Sequence, residues 1–298
     1  AMKADRFQGK QIITTLPAGD TRIIPVSYHV DEGQTDATVL LNLLSERIDG
    51  ELGDYVIDYM PVRSDESAAD RLAIVAMAQR EAVLGYLEVL RKAGLETRRL
   101  EIGPAAIRRL VGAMSPEGRH ENVVAINFGR QASYITVVSG NRLLFDQEVR
   151  FGESGLLEKI AAELDMPVDS VRTLVDSNNI APGPVPVNAS AGDIDVAGTL
   201  QEIIKPMLQG LTEEINRVMV YTASQTHGEP VSRIYMMGSL ARWRGMDGLL
   251  NSLVKLPVET IPDPLKSFGR QGKPSATRHA RPEIAVATGL ALGGFDNG

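Results

Sequence analysis

The first part of the chain alternates apolar and polar positions in a way that predicts both strands and helices. Two β-rich segments, QIITTLP (11–17) and TRIIPVSY (21–28), precede apolar residues at helical spacing in TVLLNLLSERI (38–48). GDYVIDYMPV and RLAIVAMA are typical of two further strands, and REAVLGYLEVLRKAG of a helix that ends at Gly94. The inward positions expected for that helix are Val83, Leu84, Leu87 and Leu90. Together these elements predict a small α+β unit of about 80 residues.

A different pattern begins after the polar segment SPEGRHEN. Three apolar segments, joined by short turns that contain glycine, predict an antiparallel meander. Its expected strands are 122–128, 133–139 and 142–149. Two short helices (154–164 and 168–176) should follow, then a Pro- and Gly-rich loop (178–193) and a long helix (197–224). With the strands RIYMM and VETI and the apolar helix PEIAVATGLALGG, residues 120–298 should build one lobe around a five-stranded sheet.

Composition and charge narrow the class of protein. The 298 residues are 43% hydrophobic, which is enough for a real core, and the net charge of −7 argues against a nucleic-acid partner. The chain has no cysteine, so disulfides and thiolate metal sites are excluded. We find no apolar run of the roughly 18 to 20 residues that a membrane span needs, and no signal peptide. We therefore expect a soluble, cytoplasmic protein without a direct membrane span.

The turn between the first two meander strands carries candidate phosphate-binding chemistry. A glycine has no Cβ, so the backbone of such a turn can approach a phosphate closely and present its N–H groups as an anion nest. A glycine in a hairpin is more often only a turn, and this alternative stays open. The candidate residues here are Asn127, Gly129, Arg130, Gln131 and Ser133.

A second glycine loop follows the strand RIYMM, in the segment IYMMGSLARWRGM. A glycine loop beside a helix N-terminus suits a polar or anionic ligand, although a plain β–α turn has the same appearance. Charged residues on an earlier helix could also reach such a ligand, but on an amphipathic helix they are usually solvated. The candidates are Gly238, Ser239, Ala241, Gly245, Glu158 and Lys159. No catalytic residue and no protein metal site are predicted.

In their order, these elements resemble the second half of the actin and sugar-kinase fold. That family's phosphate turn reads Asp-x-Gly-x-x-x-Thr, and its adenosine loop has two glycines, a small residue and a further glycine. Gly238, Ala241 and Gly245 match the adenosine loop, while Ser239 replaces its second glycine. The resemblance implies an α/β fold, with an actin-like (ribonuclease H-like) lobe, a small inserted α+β domain and an incomplete N-terminal lobe.

The first part of the chain is similar to the PilM-type assembly proteins of type IV pili, which are related to the cell-division protein FtsA. The positions that match are Ala78, Glu81, Ala93, Gly94 and Leu95. The resemblance implies a cytoplasmic protein that is held at the inner membrane through its partners. It would bind the N-terminal cytoplasmic peptide of an inner-membrane pilus platform protein and act with the pilus motor ATPases. The expected peptide site is an open strand edge or a groove beside residues 38–48.

The resemblance also implies a division of the chain. Residues 20–97 would be the small α+β insertion and 151–195 a small helical subdomain, between two actin-like lobes. The remnant of the first lobe would be 1–19 and 98–119, and the second lobe 120–150 and 196–298.

ATP and Mg²⁺ are the cofactors that the resemblance implies, but three departures predict weak or absent binding. The chain begins too late to contain the first lobe's phosphate turn. Asn127 replaces the metal-associated aspartate, and an amide brings no charge to a cation that prefers carboxylates. Residues 171–175 lack the family's base-contacting charges. We therefore favour a scaffold with degenerate nucleotide binding. An active ATPase with its first phosphate loop upstream is the alternative.

Overall fold

A computed structural model describes residues 9–48, 50–63, 71–115, 120–181, 196–262 and 282–294. The strands are β1 (Gln11–Thr15), β2 (Arg22–Tyr28), β3 (Tyr55–Arg63), β4 (Arg71–Gln79), β5 (Glu96–Glu101), β6 (Asn122–Phe128), β7 (Ser133–Ser139), β8 (Arg142–Val149), β9 (Val231–Gly238) and β10 (Val258–Thr260). The helices are α1 (Asp36–Ser45), α2 (Arg80–Lys92), α3 (Gly103–Met114), α4 (Glu153–Leu164), α5 (Val168–Ser177), α6 (Val196–Gln225), α7 (Met246–Val254) and α8 (Ala285–Gly293). Most of the Pro- and Gly-rich loop expected at 178–193 lies outside the described residues.

The largest sheet has five strands in the order β10-β9-β6-β7-β8. Strands β6, β7 and β8 form an antiparallel meander, whereas β9 and β10 run parallel to β6. The meander and the five-stranded sheet that the sequence predicts are thereby confirmed. The division of the chain into lobes and an inserted domain stays a prediction.

Helices cover both faces of this sheet. The long helix α6 packs against one face with the apolar stripe that its sequence predicts, because residues three and four apart share one side of a helix. The buried residues of this stripe are Leu200, Ile204, Leu208, Leu211, Ile215 and Val218. On the opposite face, Ile107 and Leu110 of α3 join Val123 and Ala125 of β6 in a second cluster.

A separate three-stranded antiparallel sheet has the order β2-β4-β3. Its central strand β4 is buried on both faces, which explains the continuous apolar run in its sequence. On one face, Val75 and Met77 pack with Leu40 and Leu44 of α1. On the other face, Ile74 joins the core of the five-stranded sheet. Helix α1 begins before the expected position 38 because the Thr35 hydroxyl accepts a hydrogen bond from the backbone N–H of Thr38.

Strands β1 and β5 pair in parallel, and α2 packs beside them. The buried contact of α2 is made by Val83, with Tyr86 and Leu87 partly buried. The prediction that Leu84 points inward is wrong, because this side chain is 60% exposed. Within the described part of the chain, no helix is both long and apolar enough to cross a membrane.

Candidate functional site

The turn that joins β6 to β7 is held in place by the start of α4. The backbone N–H groups of Glu153 and Ser154 donate to the carbonyl oxygens of Gly129 (3.1 Å) and Arg130 (2.9 Å). A Cβ on Gly129 would collide with the carbonyl oxygen of Ala132. The glycine is therefore required by close packing inside the turn, and the turn and the helix form one rigid corner.

The other candidate side chains of this turn differ in what they can offer a ligand. The Ser133 hydroxyl is buried and donates to the carbonyl oxygen of Phe151 at 2.5 Å. Arg130 and Gln131 are exposed. Asn127 is half-buried at the end of β6. The side chains of Asn127, Arg130 and Gln131 are thus accessible to a ligand. The Ser133 hydroxyl is not, because it is buried and bonded to the backbone.

The glycine loop after β9 lies directly against this turn. The backbone N–H of Ser239 donates to the carbonyl oxygen of Phe128 at 2.8 Å, and its hydroxyl lies 3.2 Å from the carbonyl oxygens of Phe128 and Gly129. Gly238 has a φ of +82°, and a Cβ there would collide with the Phe128 carbonyl. The structure therefore brings together the two glycine loops that the sequence analysis singled out.

The rest of the second loop leads into α7. Ala241 is buried in a single 3₁₀ turn, and Gly245 lies at the N-terminus of α7. Gly245 contacts Ala181, beyond the end of α5, so closely that a Cβ would collide with the Ala181 backbone nitrogen. These residues shape the loop through their backbone and present no polar side chain.

A buried carboxylate lies beneath the two loops. Glu153 is only 6% exposed in its side chain, and one of its oxygens accepts hydrogen bonds from Arg242 (3.1 Å) and from the indole N–H of Trp243 (3.3 Å). The other oxygen lies 3.4 Å from the guanidinium of Arg172 on α5. Arg242 also pairs with Glu283 at 3.0 Å. We call these five residues the Glu153 cluster.

The two charged candidates on α4 face solvent. This helix buries Leu156 and Ile160, so positions 158 and 159 fall on its outer side. Lys159 forms an exposed ion pair with Glu163 at 2.5 Å. The role of Glu158 and Lys159 in nucleotide binding stays a prediction, whereas Glu153, on the same helix, faces the loops.

A cavity of about 540 Å³ separates the five-stranded sheet from the elements at the start of the chain. Asn127 lines this cleft and also lies close to Gly238. A Cβ added to Gly238 would be 2.8 Å from Oδ1 of Asn127. Other walls of the cleft are Leu16, Thr21, Tyr86, Pro104, Asp146 and Glu148. Arg22 also lines the cleft, so its walls combine apolar side chains with both acidic and basic groups.

Asp146 is the most perturbed group in the cleft. It is 7% exposed, and its Oδ1 accepts a hydrogen bond from the Thr136 hydroxyl at 2.6 Å. Burial raises the pKa of Asp146 to about 7, against the smaller opposing effect of that hydrogen bond. Nearby, burial and a hydrogen bond to Glu148 raise the pKa of Tyr134 to about 12.

A second cavity, of about 360 Å³, forms an apolar groove between the three-stranded sheet and β5. Its apolar walls include Leu16, Val56, Met60, Ala76, Leu100 and Ile102. The groove lies on the sheet face away from α1, whereas the peptide site that the family resemblance implies is an open strand edge or a groove beside residues 38–48. Leu16 and Thr21 line both the groove and the cleft, so the loop that carries them divides the two spaces.

Sequence reasoning missed two carboxylates of this region. Asp146 is a charged residue inside an apolar strand, which was a usable signal, but its pairing with Thr136 depends on a β-bulge between β7 and β8 that the sequence does not indicate. Glu153 follows the Phe-Gly pair at the start of a helix, where an acid is common for local reasons. Its burial depends on Arg242 and Trp243, which are far away in the sequence.

Comparison with known proteins gives the family. The family described as "Type IV pilus assembly protein PilM" matches residues 10–295. A solved structure titled as the PilM-PilN type IV pilus biogenesis complex superposes with a TM-score of 0.77 at 20% identity, over 98% of this chain and 82% of that chain. No curated protein matches.

MreB5 of Spiroplasma citri shares the fold more distantly. Its ADP-bound structure has a TM-score of 0.50 at 13% identity, covering 74% of this chain and 68% of that one. Its AMPPNP-bound structure has a TM-score of 0.50 at 10% identity, covering 72% and 64%. At these identities the likeness shows the actin-like fold, as the sequence predicts. Since the family match spans almost the whole sequence, the chain belongs to the PilM family of type IV pilus assembly proteins.

Proposed function

We propose that this protein is a cytoplasmic scaffold of type IV pilus assembly. It binds the N-terminal cytoplasmic peptide of an inner-membrane pilus platform protein, through which it is held at the membrane and acts with the pilus motor ATPases. The observation that carries the proposal is the apolar groove between the three-stranded sheet and β5. Membership of the PilM family supports it, as does the solved complex of PilM with PilN.

The groove suits an extended apolar peptide. Strand β3 is an edge of its sheet, so its outer backbone groups can pair with an added strand, while alternate peptide side chains enter the groove. Val56 on this strand is 40% exposed, so its side chain can contact a peptide that binds in the groove. The exposed carboxylate of Asp58 lines the same groove and would attract a basic group or the terminal amine of the peptide.

The test is calorimetric titration of the full chain with synthetic N-terminal peptides of the platform protein. We expect micromolar binding, about −8 kcal/mol. Val56→Asp should weaken it about tenfold or more, because the new charge would be desolvated by the peptide. Leu41→Asp is the matched control, since Leu41 on α1 is also 40% exposed but does not line the groove. An absence of heat with every peptide, or equal losses in both variants, would contradict the proposal.

A second proposal concerns nucleotide. The two adjacent glycine loops resemble a phosphate and adenosine cradle, and distant structural relatives have been solved with ADP and AMPPNP. We propose that ATP binds here weakly and is not hydrolysed. Asn127 brings no charge for Mg²⁺, and Glu153 places a carboxylate beneath the loops.

Titration of ATP with and without Mg²⁺, beside a phosphate-release assay, tests this second proposal. We expect no tightening by Mg²⁺ and no release. Metal-dependent binding tighter than about 10 μM, roughly −7 kcal/mol, with phosphate release that Gly129→Val abolishes, would make the protein an ATPase instead.

A further inference from the structure

Three hydrogen-bond donors from two separate parts of the chain converge on the carboxylate of Glu153. Arg172 comes from α5, and Arg242 and Trp243 come from the loop after β9. Guanidinium and indole N–H groups only donate hydrogen bonds and cannot accept them. A set of donors around a single acceptor is the arrangement that recognises an oxyanion.

Exposure distinguishes the acceptor from its donors. The Glu153 side chain is 6% exposed, whereas those of Arg172 and Arg242 are 37% and 41% exposed. The two guanidinium groups can therefore be reached from solvent, whereas the carboxylate that both of them contact is buried. The cluster has two cations and two anions, the second anion being Glu283, so it carries no net charge.

We propose that Arg172, Arg242 and Trp243 form a binding site for a phosphate-type oxyanion, and that Glu153 occupies this site from within. While the carboxylate is in place, an incoming phosphate meets satisfied donors and a like charge. When its charge is removed, the cluster gains a net positive charge, because Arg172 loses its carboxylate partner and Arg242 keeps only Glu283. The inference rests on these side-chain contacts and on neither proposed function.

Glu153→Gln is the informative substitution, because it removes the charge but keeps the size and an acceptor for Trp243. We expect the full-length variant to bind inorganic pyrophosphate at least about tenfold more tightly than the parent protein in calorimetry, since one charge-assisted contact exceeds 1.4 kcal/mol. Adding Arg172→Gln should reverse this gain. Glu163→Gln on the same helix is the control and should bind like the parent, because Glu163 lies in an exposed ion pair with Lys159.

Glu153→Ala gives a second readout, because it leaves two arginines without their buried anion. Pyrophosphate should raise the melting temperature of this variant more than that of the parent protein. Equal pyrophosphate affinity in the parent and in Glu153→Gln would overturn the proposal, as would a gain that survives Arg172→Gln. Failure of both Glu153 variants to fold, with or without pyrophosphate, would also overturn it, because no free anion could then replace the carboxylate.

Discussion

The carboxyl group of Asp146 is buried on β8 beside the Thr136 hydroxyl, and its pKa is raised to about 7 by that burial. In the unfolded chain an aspartate titrates near its ordinary pKa of 3.8. Between these values the native protein binds one more proton than the unfolded chain. The contribution of Asp146 to the free energy of unfolding therefore falls as pH rises from about 4 to about 7.

We expect Asp146→Asn to remove this part of the pH dependence. Relative to the parent protein, the variant should gain roughly 3 kcal/mol in unfolding free energy between pH 5 and pH 8. Urea unfolding at the two pH values measures it. Glu148→Gln, on the same strand but exposed, should leave the dependence unchanged. An equal slope in the parent and in Asp146→Asn would show that Asp146 titrates normally.

Single residues also mark the limit of reasoning from the sequence. The important glycines of both loops could be predicted from their spacing in the sequence, because the need for a glycine in a turn is set by the local backbone. Which acid of FGESGLLEKIAAEL is buried could not be chosen in this way. The apolar face of α4 places Glu158 on the outer side, but the burial of Glu153 at the start of the helix depends on contacts with Arg242 and Trp243.

Among the elements, the glycine loop after β9 has the strictest backbone requirement. Gly238 has a positive φ, and a Cβ would collide with the Phe128 carbonyl. Gly238→Ala should therefore lower the unfolding free energy by about 2 kcal/mol or more, since strain and a clash add together. Gly85→Ala in α2 is the control, because a Cβ on Gly85 would meet nothing within 4 Å and alanine favours a helix.

Chemical denaturation of both variants tests this expectation. Gly85→Ala should be neutral or more stable, by up to about 1 kcal/mol. If Gly238→Ala were as stable as the parent, the loop would have to be able to move away from Phe128, and the contact between the two glycine loops would not be rigid.

The strands were easier to predict than the faces of the helices. The meander is local, so short turns and apolar runs were sufficient to locate β6, β7 and β8. The face of α2 depends on its contact with Leu16 and Leu100, which no pattern within the helix contains. For this reason the helical pattern predicts an inward Leu84, but the side chain lies in solvent.

In the molecule as a whole, the two cavities lie where the three-stranded sheet, β1 and β5 meet the five-stranded sheet. Leu16 is 8% exposed and lines both the cleft and the groove. Leu16→Ala should join the two spaces and cost about 2 to 4 kcal/mol in stability, because a cavity replaces the side chain. It should also weaken peptide binding, whereas Leu41→Ala should change both quantities little.

Urea unfolding and peptide titration on the same two variants provide the measurement. A stability loss below about 0.5 kcal/mol for Leu16→Ala would mean that the loop collapses into the space. Neither cavity could be predicted from the sequence, because each is enclosed by segments that lie far apart in the chain. The family and the order of elements could be predicted, since both depend on short sequence motifs and on the order in which they follow one another along the chain.

The loop with Leu16 and Thr21 lies between the groove and the cleft and contributes to the walls of both. A movement of this loop therefore changes the shape of both spaces at once. A peptide that displaces it from the groove side alters the free energy of whatever fills the cleft. Thermodynamic reciprocity then requires the cleft's occupant to alter the peptide's affinity by the same factor. A peptide in the groove and a ligand in the cleft would in this way affect each other's affinity without contact between them.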